Sequence, residues 1–237
     1  MSEIKFRSDV TVELVKHSAS DEDVVWAARV STAGERSKES VGPVTESKGL
    51  INFLMRERHG TPFEHSVFTF YVKAPIFVWR EHMRHRVASY NEESGRYRVL
   101  DPEFYVPDQK RKLVQVGKAG AYNFEDGTKE QFDVTDKAFR ESCEAAYIQY
   151  EAMLAAGVAR EVARGVLPVT IYSTAYVTMN ARALMNFLSL RKKDDDSLFP
   201  SYPQREIEMV AEQYEEHFAK VMPITHEAFV ANRRVSP

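Results

Sequence analysis

Residues 84–97 read Arg84-His85-Arg86-Val87-Ala88-Ser89-Tyr90-Asn91-Glu92-Glu93-Ser94-Gly95-Arg96-Tyr97, and this stretch decides how the rest of the chain is understood. Polar side chains dominate it, although apolar sequence flanks it. Arg84 and Arg86 carry planar forks that suit phosphate oxygens. Ser94 and the backbone at Gly95 add donors, and glycine lets a ligand approach the main chain closely. Each charge-assisted hydrogen bond contributes about 1.5–3 kcal/mol. Glu92 can accept from ribose hydroxyls or from a base N–H. By themselves these residues specify a phosphorylated ligand, with a nucleotide as one candidate. The competing reading is an exposed loop of surface ion pairs, each contributing about 0–1 kcal/mol.

The surrounding composition narrows the choice. The chain has 237 residues and a net charge of −3, so it is not a general polyanion binder. Yet Arg80, Arg84, Arg86, Arg96 and Arg98 fall within nineteen residues, a local concentration that suits one anionic ligand better than a nucleic-acid face. A single-stranded nucleic-acid binder using Tyr90 and Tyr97 as stacking groups is the weaker rival, and a steep salt dependence would reveal it. No metal is expected: His82 and His85 are three apart beside Glu81, but Arg84 and Arg86 would repel a cation, and the pattern is not His-Glu-x-x-His. There is no G-x-G-x-x-G fingerprint for an ordinary dinucleotide fold. No apolar run approaches the roughly 20 residues that span a bilayer. Residues 1–16 have no signal-peptide core, and the single cysteine, Cys143, excludes an intramolecular disulfide. A cytoplasmic protein with no membrane partner is expected.

Outward from the motif, strands and helices alternate, which predicts an α/β (α+β) fold with a mixed central sheet and flanking helices. The strand order is not readable. Residues 4–15 read as one strand. Ser20-Asp21-Glu22-Asp23 resembles a capping box opening a helix that Ser31-Thr32-Ala33-Gly34 breaks. Residues 47–58 read as a helix ended by His59-Gly60-Thr61-Pro62, and 66–72 as a strand. Pro75 is expected in the first turn of a helix carrying Trp79 through His85. Residues 108–128, with Gly117, Gly120 and Gly127, read as a surface-loop insertion. Residues 129–156 form an amphipathic helix, with Phe132, Phe139, Cys143, Tyr147, Tyr150 and Leu154 at helical spacing and Gly157 as its stop. A short helix over 160–166, a strand over 169–178 and helices over 180–190 and 204–221 complete the pattern. His217 and His226 read as surface histidines, and Trp79 as a packing residue.

The stretch resembles, at every fixed position, the signature R-H-R-x-x-S-x-N-E-x-S-x-R-Y of the flavin-dependent thymidylate synthases, the ThyX family. Nine specified residues in fourteen match: Arg84, His85, Arg86, Ser89, Asn91, Glu92, Ser94, Arg96 and Tyr97. Further blocks are similar to the family's and follow its order: Ala27-Ala28-Arg29-Val30-Ser31, His59-Gly60-Thr61-Pro62-Phe63-Glu64-His65, Arg160-Glu161-Val162-Ala163-Arg164, and Asn180-Ala181-Arg182 through Asn186 to Arg191.

The resemblance implies one domain over 1–237 with the ThyX-type fold, assembled as a homotetramer with active sites at subunit interfaces. It implies dTMP synthesis from dUMP, with FAD as cofactor and NADPH and 5,10-methylenetetrahydrofolate as cosubstrates. Residue by residue, it implies FAD contacts at Ser31, His59, Thr61, Arg84, His85, Arg86, Glu92, Asn180, Arg182 and Asn186. It implies dUMP contacts at Glu81, Arg84, Glu92, Ser94, Gly95, Arg96, Arg164 and Arg191. Arg191 matches the catalytic arginine that favours ionisation of the uracil N3, as a fixed cation lowers the pKa of a nearby acid. Without the resemblance, Arg191-Lys192-Lys193 before Asp194-Asp195-Asp196 reads as a solvated charge run. Cys143 sits on the apolar stripe of a helix, where a thiol is usually inert, so chemistry without an enzyme nucleophile is expected. The alternative is a catalytically inactive FAD- and nucleotide-binding protein.

Overall fold

The computed structural model describes residues 3–39, 42–118 and 121–237. The chain divides into two compact units, one of Met1–Val10, Lys73–His82 and Glu92–Ala175, the other of Thr11–Val72, Met83–Asn91 and Tyr176–Pro237. In order, the strands and α-helices are β1 (Lys5–Arg7), β2 (Thr11–Ser18), α1 (Asp21–Ala33), α2 (Lys48–Arg56), β3 (Val67–Pro75), α3 (Ile76–His82), β4 (Ser89–Glu92), β5 (Glu103–Tyr105), β6 (Val114–Lys118), β7 (Ala121–Glu125), α4 (Lys129–Ala155), α5 (Arg160–Ala163), β8 (Tyr172–Asn180), α6 (Ala181–Arg191), α7 (Arg205–Val221) and α8 (Pro223–Ala231). This is the mixed α/β class that the alternation implied. One sheet has the order β2-β3-β8-β4, while β1 pairs with β5 in parallel and β6 with β7 antiparallel.

In the first unit, α4 opens with a full capping box: Thr128 accepts from the Gln131 amide, and Gln131 accepts from the Thr128 amide. Its stripe buries Cys143, Tyr147 and Tyr150 against Leu100, Phe104, Ala163 and Ile171. Both tyrosine hydroxyls serve one peptide: Tyr147 donates to the Leu100 carbonyl at 3.0 Å, and the Leu100 amide donates to Tyr150 at 3.3 Å. The chain leaving the 84–97 motif is thereby anchored to the core.

In the second unit, β3 sends Phe68, Phe70 and Val72 to one buried face. Phe187 of α6 and Tyr214 and Phe218 of α7 join this core, with Phe70 and Tyr214 centroids 4.4 Å apart and Phe68 and Phe218 6.1 Å apart. Each such ring contributes about 1.5–3 kcal/mol on burial. Two buried acids complete the frame. Asp21 accepts from the amides of Ile224 and Thr225 at 3.0 and 2.8 Å, capping the start of α8. Glu215 of α7 accepts from Arg234, Lys192 and His226.

Several local expectations need correction. The single strand over 4–15 is two strands, because Asp9 turns aside: its carboxylate accepts from Arg7 and its carbonyl from the Tyr172 hydroxyl. Ser31 and Thr32 do not break α1; their hydroxyls bond back to the Ala28 and Arg29 carbonyls, and the helix runs on to Gly34, whose φ is 57°. Pro75 ends β3 rather than opening α3, and the Ile76 amide donates to the Ile171 carbonyl. α3 stops at His82, so Arg84 and His85 follow the helix. The 108–128 insertion contains the β6–β7 hairpin, in which Val114-Gln115-Val116 faces Asn123-Phe124-Glu125. The expected strand over 169–178 begins at Tyr172, since the Val169 and Ile171 carbonyls are taken by Phe77 and Ile76. His226 and His217 are half-buried: one pairs with Glu215, and the other packs 6.0 Å from the Phe70 ring.

Candidate active site

The second unit holds a cleft of about 750 Å³. Its back wall is one face of α6. Asn180 caps that helix, accepting from the Ala183 amide at 2.8 Å, and Arg182, Ala183, Asn186 and Leu190 follow at helical spacing. Arg191 closes the row. The opposite wall is the segment 84–88, with Arg84, His85, Arg86, Val87 and Ala88, while Met179, Glu64, Ser236 and Pro237 complete the lining. Of the expected cofactor residues, the cleft therefore gathers Arg84, His85, Arg86, Asn180, Arg182 and Asn186. It gathers Arg191 with them.

Its electrostatics favour an anion. Arg84 and Arg86 are exposed and have no ion-pair partner among the described residues. Arg182 donates to Glu64 and to the Pro237 carbonyl, both at 2.6 Å. Gly60 lies under that guanidinium: a Cβ there would sit 2.4 Å from Arg182 Nε and 2.9 Å from the Pro237 carbonyl oxygen. The His59-Gly60-Thr61 block thus borders the site through its glycine, while the His59 ring rests edge-on against Phe53 at 5.7 Å. Ser31 lies outside the cleft lining, at the end of α1. Arg191 Nε donates to His85 Nε2 at 3.0 Å, and burial, followed by the Arg191 charge, lowers the His85 pKa to about 4.

The first unit carries the expected substrate residues apart from Arg84 and Arg191. Ser94, Gly95 and Arg96 form a turn in which the Tyr97 amide donates to the Ser94 carbonyl at 3.0 Å. The Ser94 hydroxyl accepts from the Arg96 amide at 3.3 Å. Gly95 is packed so closely that a Cβ would lie 3.1 Å from Arg164 Cδ. Arg96 Nε meets Glu161 at 3.0 Å. Ser94, Gly95, Arg96 and Arg164 are thus one cluster. Glu92 is held by the Ser173 hydroxyl at 2.5 Å, and Glu81 lies in the last turn of α3. Trp79 is buried, donating to the Ala74 and Ser173 carbonyls.

A family model described as thymidylate synthase complementing protein matches residues 13–224. Over 234 residues the chain is 61% identical to a flavin-dependent thymidylate synthase of Streptomyces avermitilis, covering 98% of this chain and 95% of that one. This protein belongs to the flavin-dependent thymidylate synthase family. A member from Tropheryma whipplei is 60% identical over 232 residues, covering 98% and 97% of the two chains. Among solved structures, the UMP/dUMP methylase PolB from Streptomyces cacaoi bound with 5-Br dUMP superposes with a TM-score of 0.94 at 54% identity, covering 99% of this chain and 100% of that one.

Against this family background, sequence reasoning missed several lining residues. Ala183 and Leu190 share the helical face of Arg182 and Asn186, so the period of α6 was a usable signal. Glu161 was signalled by opposite charges one turn apart in Arg160-Glu161-Val162-Ala163-Arg164. Ser236 and Pro237 carried no local pattern at all. Among the described residues, no helix is long and apolar enough to cross a membrane.

Proposed function

We propose that this protein methylates dUMP to dTMP, with 5,10-methylenetetrahydrofolate as one-carbon donor and NADPH as reductant through FAD. The observation that carries the reading is the cleft that joins Arg84 and Arg86 to the α6 face of Arg182, Asn186 and Arg191 in a chain of this family. The donor set fits a dinucleotide: two exposed guanidinium groups for phosphate, and a glycine floor where a side chain would intrude. Arg84, His85, Arg86, Asn180, Arg182 and Asn186 would hold FAD, with His59 and Thr61 at the border and Ser31 and Glu92 as outer contacts. Bound flavin would supply the redox chemistry that a protein side chain cannot.

The remaining steps fall to the chain's own residues. Ser94, the Gly95 backbone, Arg96 and Arg164 bind the dUMP phosphate. Glu81 and Glu92 face its sugar and base, Glu92 being held by Ser173. Arg84 contributes at the boundary between substrate and cofactor. Arg191 stabilises the uracil anionic at N3, which raises electron density at C5, the carbon that attacks the one-carbon unit. No cysteine attack is involved: Cys143 is 1% exposed, and burial raises its pKa. The functional form is a cytoplasmic homotetramer of one-domain chains with sites at subunit interfaces. Exposed apolar groups beside the site residues, Val87 at 72% and Tyr97 at 77%, support an interface.

The deciding assay is dTMP formation from dUMP, methylenetetrahydrofolate and NADPH after stripping flavin, with and without added FAD. FAD-dependent dTMP is expected. Folded protein that binds FAD and dUMP yet makes none would establish the inactive binding protein instead. A parallel assay with UMP is warranted because the solved PolB neighbour is a UMP/dUMP methylase. Gly60→Ala tests the cradle: its Cβ displaces Arg182, and loss of one charge-assisted bond, about 1.5–3 kcal/mol, weakens FAD binding by about tenfold or more. Flavin titration with unchanged affinity would remove Gly60 from the site.

A further inference from the structure

Arg191 is held in the cleft by an unusual partner for an arginine of this protein. Arg182 is held by Glu64 at 2.6 Å, Arg96 by Glu161 at 3.0 Å, and Arg234 by Glu215 at 2.8 Å. At Nε of Arg191 the acceptor is instead the Nε2 of His85, at 3.0 Å. A guanidinium only donates, so this contact requires an unprotonated Nε2 and places the ring proton on Nδ1. The ring is fixed from two sides. It lies 4.6 Å from the fully buried Phe187 ring, one turn of α6 before Arg191. Its main-chain carbonyl accepts from the Tyr90 hydroxyl at 2.8 Å, and burial raises the Tyr90 pKa to about 12, so that donor keeps its proton. The depressed pKa of His85 agrees with a neutral ring.

The choice of acceptor has a chemical consequence. A carboxylate at this position would orient the fork equally well, but its negative charge would oppose the effect of Arg191 on the uracil N3. A bond at Nε uses one of five N–H donors and sets the plane of the guanidinium. We propose that His85 is a positioning residue that orients Arg191 through a neutral acceptor, so that the contact takes no charge from the cation. The inference rests on the thymidylate synthase reading and deepens it, because it assigns His85 to the substrate cation as well as to the cofactor wall.

The test compares His85→Gln, which keeps a neutral acceptor, with His85→Glu, which makes it anionic, and His85→Leu, which removes it. Each variant is assayed for kcat at saturating dUMP across pH, with flavin content per chain measured alongside. Gln is expected to stay within a few-fold of the unaltered protein. Glu and Leu are expected to lose about 10²-fold in kcat and to reach their plateau at higher pH, because the uracil N3 then ionises less readily. A ring that only fills space predicts equal behaviour for Gln and Glu and an unmoved pH profile; that result overturns the proposal. A second measurement does not depend on flavin loading. In the flavin-free protein with ¹⁵N-labelled histidine, the His85 resonance should report the Nδ1-protonated tautomer at neutral pH and should change in Arg191→Ala. An Nε2-protonated His85, or one indifferent to Arg191, overturns the pairing. Failure of the unaltered protein to make dTMP would instead refute the synthase reading, and the NMR result separates the two failures.

Discussion

Replacing Arg191 with alanine is expected to lower dTMP turnover by about 10²–10³-fold while leaving the fold intact. The expectation has two parts. Electrostatically, a fixed cation within reach of an acidic N–H lowers its pKa by about 1–3 units, and this shift is lost with the guanidinium. Structurally, Arg191 is the last residue of α6, where a cation also complements the helix dipole. That term is only about 0.3–1 kcal/mol, too small to unfold the protein. The loss should therefore appear in kcat, with flavin content close to normal, because the cofactor wall keeps Arg84, Arg86 and Arg182. Arg191→Lys should recover part of the activity, since it restores charge without the planar fork. An alanine variant that turns over within a few-fold of the unaltered protein would remove Arg191 from the chemistry.

The signature at 84–97 was legible because it concentrates chemistry in consecutive residues, and the structure places its first three in the cleft. The long helices were legible because periodicity and capping agree, as at Thr128 and Gln131 of α4. Other features depend on contacts across long stretches of chain. Asp21 reads as part of a local cap for α1, yet its carboxylate caps α8, two hundred residues later in sequence. Arg191 reads as one member of a charge run. Its assignment came through family resemblance, while the pairing with His85, 106 residues away, is a tertiary fact. The hairpin over β6 and β7 was hidden by glycines that suggested a loop; one of them, Gly117, adopts a φ of 93° within strand β6 itself. The terminal Ser236 and Pro237 enter the cleft only because Arg182 and Arg58 bind their backbone.

Removing the carboxylate of Glu215 is expected to destabilise the second unit by about 3–5 kcal/mol, the usual loss when one member of a buried ion pair is deleted. Glu215 and Arg234 are 8% and 4% exposed at their side chains, and the carboxylate also meets Lys192 at 2.5 Å and His226 at 2.8 Å. Glu215→Ala leaves buried Arg234 without this partner. Burial alone would raise the Glu215 pKa, but the bonds from His226, Arg234 and Lys192 outweigh it and hold it well below the usual range. The sign of the pH dependence follows. A carboxyl whose pKa is lower in the fold stabilises fully above its unfolded value of about 4.3, and this contribution is lost as pH falls through the folded value. His85 acts over a different window: its folded pKa of about 4 lies below its ordinary 6.5, so stability declines as pH falls between those values. Urea midpoints against pH should therefore show two separable losses. Glu215→Gln should flatten the one below about pH 4.3, and His85→Gln the one above it; an unchanged acid slope in Glu215→Gln would refute the assignment. The same carboxylate grips Lys192, next to Arg191, and Arg234, two residues before Ser236, so it braces both margins of the cleft. Below its unfolding temperature, Glu215→Gln should accordingly lose flavin affinity as well as stability. Full flavin affinity in that folded variant would confine Glu215 to holding the unit together.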